Sequence, residues 1–191
     1  MPRWPEDSRD RLIEASLALF AEHGYASVTV DDIAARAGVS ARTFFRHFPD
    51  KEEVLFADDD ELLPALLASI AQGAPTASAE QDIVRALMTL ADRFQPRREQ
   101  LADRQRIVDS QVSLSGRELA KQARWQQSVM DALIARGYDA ADADLLASLG
   151  FAIFRRALRT WLTEPSGPDL AARVRSALPR VRSVLDSTAS S

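Results

Sequence analysis

Residues 28–51 of this 191-residue chain read VTVDDIAARAGVSARTFFRHFPDK. The stretch predicts two short helices joined at Gly38, because glycine accepts the positive φ that a tight turn requires. Thr29 and Asp32 have the spacing of a helix-starting capping pair, and Ser40 can cap the second helix. Together these features predict a helix-turn-helix motif, whose second helix enters the major groove of double-stranded DNA.

The second predicted helix has two different sides. Phe44 and Phe48 lie four residues apart, so they share one side and are expected to pack on the core. The opposite side is expected to face base edges, and it holds Ala41, Arg42, Phe45 and Arg46. Arginine pairs well with O6 and N7 of guanine, although both arginines could instead be ordinary solvated side chains. Phosphate contacts are expected from hydroxyls and cations at the helix starts and flanks: Thr29, Ser40, Thr43, His47 and Lys51. A simple helix-capping role remains open for His47.

Helical periodicity continues through the rest of the chain, and no period-two strand pattern is convincing. We predict an all-α protein of about nine helices, three short ones followed by six that are mostly longer. One of them is expected to run from Glu52 to about Gln72, bent at Pro64. The predicted organisation is a helix-turn-helix domain over residues 1–51 and a larger helical domain over residues 52–191.

Charge is unevenly distributed along the chain. The net charge of −4 and the pI of about 5.3 argue against a general nucleic-acid binder. Between residues 33 and 51, however, four basic residues stand against one acid, Asp50. The bases are Arg36, Arg42, Arg46 and Lys51. A local basic face on an acidic body suits a protein that docks on DNA by one end.

The composition also restricts the chemistry. Cysteine is absent and the two histidines are His23 and His47, both in or beside the helix-turn-helix stretch. An enzyme would need a nucleophile–base pair or a metal site, and no such spacing is visible. We therefore expect neither an enzyme nor a cofactor or metal site. No signal-peptide pattern and no membrane-length apolar run is found, so we expect a cytoplasmic protein without membrane contact.

The run GYASVTVDDIAARAGVSARTFFRHFPDKEEVL, residues 24–55, resembles the DNA-binding domain of the tetracycline-repressor (TetR) family of bacterial regulators. The resemblance covers roughly residues 9–55. It implies that Thr43, His47 and Lys51 hold the DNA backbone, with Ala41, Arg42, Phe45 and Arg46 facing the bases. Phe45 departs from the tyrosine usual in the family, so a phosphate bond from that hydroxyl is missing. The stretch TFFRHFPDKEEVLFADDDE, residues 43–61, is similar to an actinobacterial subgroup described as sensing acyl-CoA-like ligands.

Apolar stripes in the larger domain predict two further surfaces, although a plain core role is the alternative for each residue. The last two helices suit a four-helix bundle between two subunits, which the TetR resemblance also implies. Its expected members are Leu145, Leu149, Gly150, Ile153, Ala157, Trp161, Val174, Leu178, Val181 and Leu185. Residues of the middle helices could line an apolar ligand pocket. They are Phe56, Leu66, Leu87, Leu90, Phe94, Ile107, Gln111, Trp125 and Val129.

These observations predict a homodimeric, sequence-specific transcriptional regulator. The expected mechanism is a repressor that leaves a palindromic operator when a small, largely apolar effector binds the larger domain. The alternative is a DNA-binding regulator controlled by a partner protein, which a fully packed larger domain would favour. The identity of the effector, the operator sequence and the choice between repression and activation remain open.

Overall fold

A computed structural model describes residues 5–57, 59–74, 76–164 and 166–189, and these form nine α-helices without a β-strand. The helices are α1 (Pro5–His23), α2 (Val30–Arg36), α3 (Ala41–His47), α4 (Asp59–Ala71), α5 (Ala79–Phe94), α6 (Arg98–Asp109), α7 (Val112–Ala135), α8 (Ala140–Thr163) and α9 (Leu170–Ala189). Short 3-10 helices lie at Tyr25–Ser27, Glu53–Phe56 and Gln95–Arg97. The predicted all-α class is therefore confirmed. None of the described helices is both long and apolar enough to span a bilayer.

The single helix predicted from Glu52 to about Gln72 is wrong. A 3-10 helix occupies Glu53–Phe56, and α4 begins separately at Asp59. The physical reason is burial, because the four consecutive residues 54–57 are all buried. Four successive residues of a regular α-helix point around its whole circumference, so they cannot all face one core. Pro64 is accommodated inside α4.

The chain packs as two compact units. The first comprises Met1–Asp59 and Asp103–Glu118, and the second comprises Asp60–Ala102 and Leu119–Ser191. Both α6 and α7 are thus divided between the units: Asp103–Asp109 of α6 and Val112–Glu118 of α7 belong to the first unit, and the rest of each helix belongs to the second. Packing does not follow the predicted boundary at residue 51, because the first unit includes a distant stretch of chain. The division of function between residues 1–51 and 52–191 stays a prediction.

The first unit has a core built around α1, α2 and α3. Leu12, Ile33 and Phe44, one from each helix, are 0% exposed. Apolar side chains from the end of α6 and the start of α7 complete this core: Ile107, Val108 and Leu114. The apolar stripe that each short helix carries is therefore buried by sequence-distant partners as well as by its neighbours.

The second unit has its own apolar core, with Trp161 of α8 only 1% exposed. It also buries one acid, Asp82 of α5, which is 0% exposed. The Tyr138 hydroxyl donates to Asp82 Oδ2 at 2.8 Å, and Arg136 Nε lies 2.7 Å from the same oxygen. Arg85 Nη2 lies 2.8 Å from Oδ1. Burying a carboxylate is costly unless it is paired, and these partners offset that cost.

We expect Gly38→Ala to lower the free energy of unfolding by about 1 kcal/mol, because alanine resists a left-handed backbone. Gly38 has a φ of +68°, and no heavy atom lies within 4 Å of an added Cβ, so backbone strain is the cause. Gly116→Ala is the matched control, since Gly116 lies inside α7 with equally open space around it. That variant should be stabilised by about 0.5–1 kcal/mol. Urea unfolding measures both, and equal stability of Gly38→Ala and the wild type would refute the argument.

Candidate nucleic-acid interface

The first helix of the motif, α2, starts with reciprocal hydrogen bonds between Thr29 and Asp32. The Asp32 backbone N–H donates to Thr29 Oγ1 at 3.2 Å, and the Thr29 backbone N–H donates to Asp32 Oδ2 at 2.8 Å. The predicted capping pair is confirmed. The Thr29 hydroxyl also donates to Asp32 Oδ2 at 2.6 Å, so both donors of Thr29 are used within the motif. A phosphate contact by Thr29 stays a prediction, and it requires one of these donors to be released.

The turn and the start of α3 follow the predicted pattern. Gly38 takes a positive φ, and the Val39 N–H donates to the Ala34 carbonyl at 2.9 Å, which turns the chain after α2. Ser40 Oγ then accepts from the Thr43 backbone N–H at 3.2 Å and lies 3.0 Å from Thr43 Oγ1. Ser40 is exposed and Thr43 half-buried, so hydroxyls remain at the surface near the start of α3.

The two sides of α3 differ in burial as the sequence predicts. Phe44 and Phe48 are 0% and 2% exposed, and their ring centroids lie 5.6 Å apart. The residues predicted to face bases lie at the surface, exposed except for the half-buried alanine: Ala41, Arg42, Phe45 and Arg46. Buried aromatic anchors on one side therefore fix the rotation of the helix and present the other side to solvent.

His47, the last residue of α3, ties this helix to α1. Its Nε2 lies 2.9 Å from Ser8 Oγ and 3.5 Å from Arg46 Nη2. A guanidinium can only donate, so the contact from Arg46 requires Nε2 to be the accepting nitrogen. Burial, followed by the nearby charges of Arg46 and Arg9, lowers the pKa of His47 below its usual 6.5. The neutral ring is thus the favoured form here, with the other nitrogen carrying the proton.

Lys51 is used largely inside the first unit. Its Nζ donates to the backbone carbonyls of Tyr25 and Val28, both at 2.8 Å. The ammonium also lies 4.2 Å from the centre of the Tyr25 ring. Burial lowers the pKa of Lys51, against the opposing charge of Glu52. Two of its three donors are occupied, so a single donor is left for the phosphate contact that the family resemblance implies.

The segment directly after α3 is held by a cluster that the sequence analysis missed. Arg117, near the start of α7, lies 3.1 Å from Asp50 Oδ2 and 3.0 Å from Glu52 Oε2, and it also pairs with Glu53. Burial acts to lower the pKa of Arg117, but hydrogen bonds to Glu52 and Asp50 and the charges of Asp50 and Glu53 raise it overall. The guanidinium is 5.6 Å from the centre of the buried Phe56 ring. These partners lie 64–67 residues away in the chain, so no local sequence pattern predicts the pairing.

Arg104 of α6 adds a second support to the same segment. Its guanidinium lies 5.1 Å from the centre of the Phe56 ring, and its Nε donates to the Leu55 carbonyl. Glu118 pairs with it from α7. The Phe56 ring is therefore contacted by one guanidinium from α6 and one from α7, and both hold the segment that follows α3.

A family model described as bacterial regulatory proteins, tetR family, matches residues 12–57. Residues 12–57 therefore match the N-terminal domain of the TetR family, and this stretch is called the TetR-family domain below. The match begins within α1 and continues through the helix-turn-helix and the segment that Arg104 and Arg117 support. The predicted resemblance of this stretch to the TetR DNA-binding domain is thereby confirmed.

This chain is similar to known proteins in sequence over a short stretch and in fold over most of its length. TcmR, an HTH-type transcriptional regulator of Streptomyces glaucescens, is 44% identical over 63 residues, which are 33% of this chain but only 28% of TcmR. FadR of Bacillus subtilis, solved with stearoyl-CoA, has a TM-score of 0.64 at 20% identity over 89% of this chain and 95% of FadR. The SmeT–triclosan complex gives 0.61 at 22% identity over 91% and 90%. The structural likeness concerns the fold, whereas the sequence likeness to TcmR covers about a quarter of that regulator.

The residues predicted to line a ligand pocket do not form one group. Phe56, Ile107 and Gln111 belong to the first unit, with the TetR-family domain. The other six belong to the second unit, where all except the half-buried Phe94 are fully buried: Leu66, Leu87, Leu90, Phe94, Trp125 and Val129. The nine residues are divided in this way because consecutive helices α6 and α7 each contribute to two cores, and the ligand pocket stays a prediction. A groove of about 300 Å³ between α1 and α2 includes none of these nine residues.

The predicted dimer surface also needs correction. Leu145 is 65% exposed, and Leu149 and Val181 are partly exposed. The side chains of Leu178 and Leu185 lie outside the described ones. The remaining residues are buried within their own chain: Gly150, Ile153, Ala157, Trp161 and Val174. A Cβ on Gly150 would meet the Ile83 side chain at 3.0 Å, so this glycine allows close approach to α5 of the same unit.

Helix geometry explains the error on α8. Residues four apart are rotated by about 40° around an α-helix, since 3.6 residues make one turn. Over the four such steps from Leu145 to Trp161 the stripe crosses nearly to the opposite side. Leu145 is accordingly exposed, and Trp161 is 1% exposed. The stripe therefore joins two different faces.

The lowered pKa of His47 predicts a loss of stability in acid. The folded state binds the proton less readily than the unfolded chain, so the stabilising contribution is complete above about pH 6.5 and disappears as the pH falls through the folded-state pKa. Urea unfolding at pH 7.5 and pH 5 should show a larger loss for the wild type than for His47→Gln. His23→Gln replaces an exposed imidazole and is the control. Equal losses in the wild type and His47→Gln would contradict the assignment.

Proposed function

We propose that the chain is a homodimeric transcriptional repressor whose TetR-family domain binds one half of a palindromic operator in double-stranded DNA. The observation that carries the proposal is the outward side of α3, where Arg42 and Arg46 are exposed and no acidic residue occurs. A positive, exposed helix face with anchored backbone is what major-groove recognition requires. The proposed place of action is the cytoplasm, where bacterial DNA lies.

The proposed base and phosphate contacts are assigned from the polar groups that each side chain does not use within the protein. Arg42 and Arg46 are the proposed base readers, because each presents a donor fork that matches guanine. Ser40 and Thr43 lie at the start of α3 and are the proposed phosphate contacts, joined by the free nitrogen of His47 and the third donor of Lys51. Such contacts orient the domain without reading sequence, so specificity rests on the exposed middle of α3.

Dimerisation is proposed through the exposed side of α8. A two-fold interface is self-complementary, so one patch must match itself in reverse. The helix carries exposed acids near its start, Asp142 and Asp144, and exposed arginines near its end, Arg155, Arg156 and Arg159. Antiparallel pairing of two copies of α8 would place opposite charges together and cover Leu145. A dimer can set two recognition helices about 34–36 Å apart, one turn of the duplex.

Control by a small, largely apolar effector is proposed for the second unit. FadR has been solved with stearoyl-CoA and SmeT with triclosan, and both share the fold over nearly their whole length. These neighbours favour a small molecule over a partner protein as the controlling ligand. An effector that binds better to a conformation with the wrong spacing of recognition helices would empty the operator through its differential affinity.

We expect Arg42→Ala and Arg46→Ala each to weaken binding to a duplex selected by the wild-type protein by about 10- to 100-fold, the loss of one bidentate base contact. The preference for that duplex over random DNA should fall as well. Arg124→Ala removes the same charge from an exposed site on α7, outside the proposed dimer face, and should change binding to DNA little. Fluorescence anisotropy measures these variants together with the double variant Arg42→Ala/Arg46→Ala, and an unchanged sequence preference in the double variant would disprove the proposal.

Leu145→Glu should convert the dimer to monomers and weaken operator binding, because it places a charge in the proposed apolar contact. Leu119→Glu is the matched control, since Leu119 of α7 is 57% exposed, close to the 65% of Leu145. Sedimentation velocity gives the oligomeric state of both. A Leu145→Glu protein that remains dimeric would exclude this face of α8.

A further inference from the structure

Phe45 is an exposed aromatic residue at the centre of the proposed reading surface. Its side chain is 56% exposed, and it is the one aromatic residue among the large apolar side chains described as exposed. Exposed apolar residues are common, but this one is also held in place. Its ring lies edge-on to Phe44, with centroids 5.5 Å apart and an interplanar angle of 83°. Because Phe44 is 0% exposed, the outer ring stands on a fixed support.

The surroundings of Phe45 restrict what can cover it. Arg42 lies three residues before it and Arg46 directly after it, both exposed. Ala41, four residues before it on the same side, leaves space for a ligand to approach the ring. A partner that binds over Phe45 must therefore carry negative charge for the two arginines and must place an apolar group against the ring. Duplex DNA meets both conditions, since its phosphates are anionic and its major groove carries the C5-methyl group of thymine.

A phenyl ring has no hydrogen-bond donor or acceptor, so Phe45 can bond neither a phosphate nor the polar edge of a base. Apolar contact with the thymine methyl is the one direct reading of sequence left to it in the major groove. We propose that Phe45 is a specificity-determining residue that recognises thymine through its C5-methyl group. The inference rests on the proposed DNA-binding function and adds a base-specific contact of a kind that the arginines cannot make.

The test uses duplexes selected by the full-length protein from a random pool. Each thymine of a selected duplex is replaced in turn by deoxyuridine, which removes the methyl group and keeps every hydrogen-bonding group. At one or more positions in each half-site the wild-type Kd should rise about fourfold, the effect of burying one methyl-sized group. The same replacement should leave the Kd of Phe45→Ala unchanged, because that variant has already lost the contact.

Two further variants separate the contact from general effects. Phe45→Leu retains an apolar side chain and should retain a preference for thymine over uracil. Leu119→Ala removes an equally exposed apolar residue, 57% exposed on α7, and should behave as the wild type on both duplexes. The dependence of the Kd on salt should be the same for Phe45→Ala and the wild type, since no phosphate contact is lost.

The outcomes distinguish this inference from the function on which it rests. If no duplex is selected, the proposed DNA-binding function fails and the inference fails with it. If a duplex is selected but no thymine-to-uracil replacement weakens binding, the function stands and the inference is wrong. Equal weakening of thymine and uracil duplexes by Phe45→Ala would show packing on the sugar–phosphate backbone, and an unaltered Kd would leave the ring to a protein partner. Either result overturns methyl recognition.

Discussion

The burial of Phe44 and Phe48 is the constraint on which the outward side of α3 depends, the side that holds Ala41, Arg42, Phe45 and Arg46. A helix as short as α3, Ala41–His47, is not stable by itself in water, because nucleation costs more than so few hydrogen bonds return. The two rings supply tertiary packing, and they occupy one side of the helix only. Their burial therefore decides both that the helix exists and which residues it shows to solvent. The exposed arginines and the exposed phenylalanine are consequences of that choice.

Several cations near the motif are used within the first unit, so fewer of them are available at the surface than their number suggests. Arg36 forms a bidentate pair with Glu22, at 2.6 and 2.7 Å, and Lys51 donates to two backbone carbonyls. Of the four basic residues between positions 33 and 51, this leaves Arg42 and Arg46 directed outward without an acidic partner among the described residues. A count of charges along the sequence overstates the basic surface, because it cannot tell which cations are used internally. Two exposed arginines on an acidic protein fit the proposed selective docking better than a general attraction to nucleic acid.

Local features of the fold could be predicted from the sequence, and non-local ones could not. The caps at Thr29 and Ser40 and the turn at Gly38 depend on residues within a few positions of each other, so their chemistry is visible in the chain. The outward side of α3 could be predicted because the helix is only two turns long, so residues spaced by four stay on one side of it. On α8 the same reasoning failed, since a stripe spaced by four residues passes from the exposed Leu145 to the buried Trp161. The Arg117 cluster joins residues more than sixty positions apart, and nothing near either end indicates it.

The discontinuity of the first unit has a consequence for synthesis of the protein. Asp60–Ala102 must be translated before the stretch Asp103–Glu118 can supply Arg104, Ile107 and Arg117 to the segment after α3. At about 5–20 residues per second, the nascent chain waits on the order of seconds with that segment unsupported. A fragment released before residue 103 lacks these contacts, so its helix-turn-helix has less support than in the full chain. The segment after α3 thus gains its full set of contacts only once the chain has been made beyond Glu118.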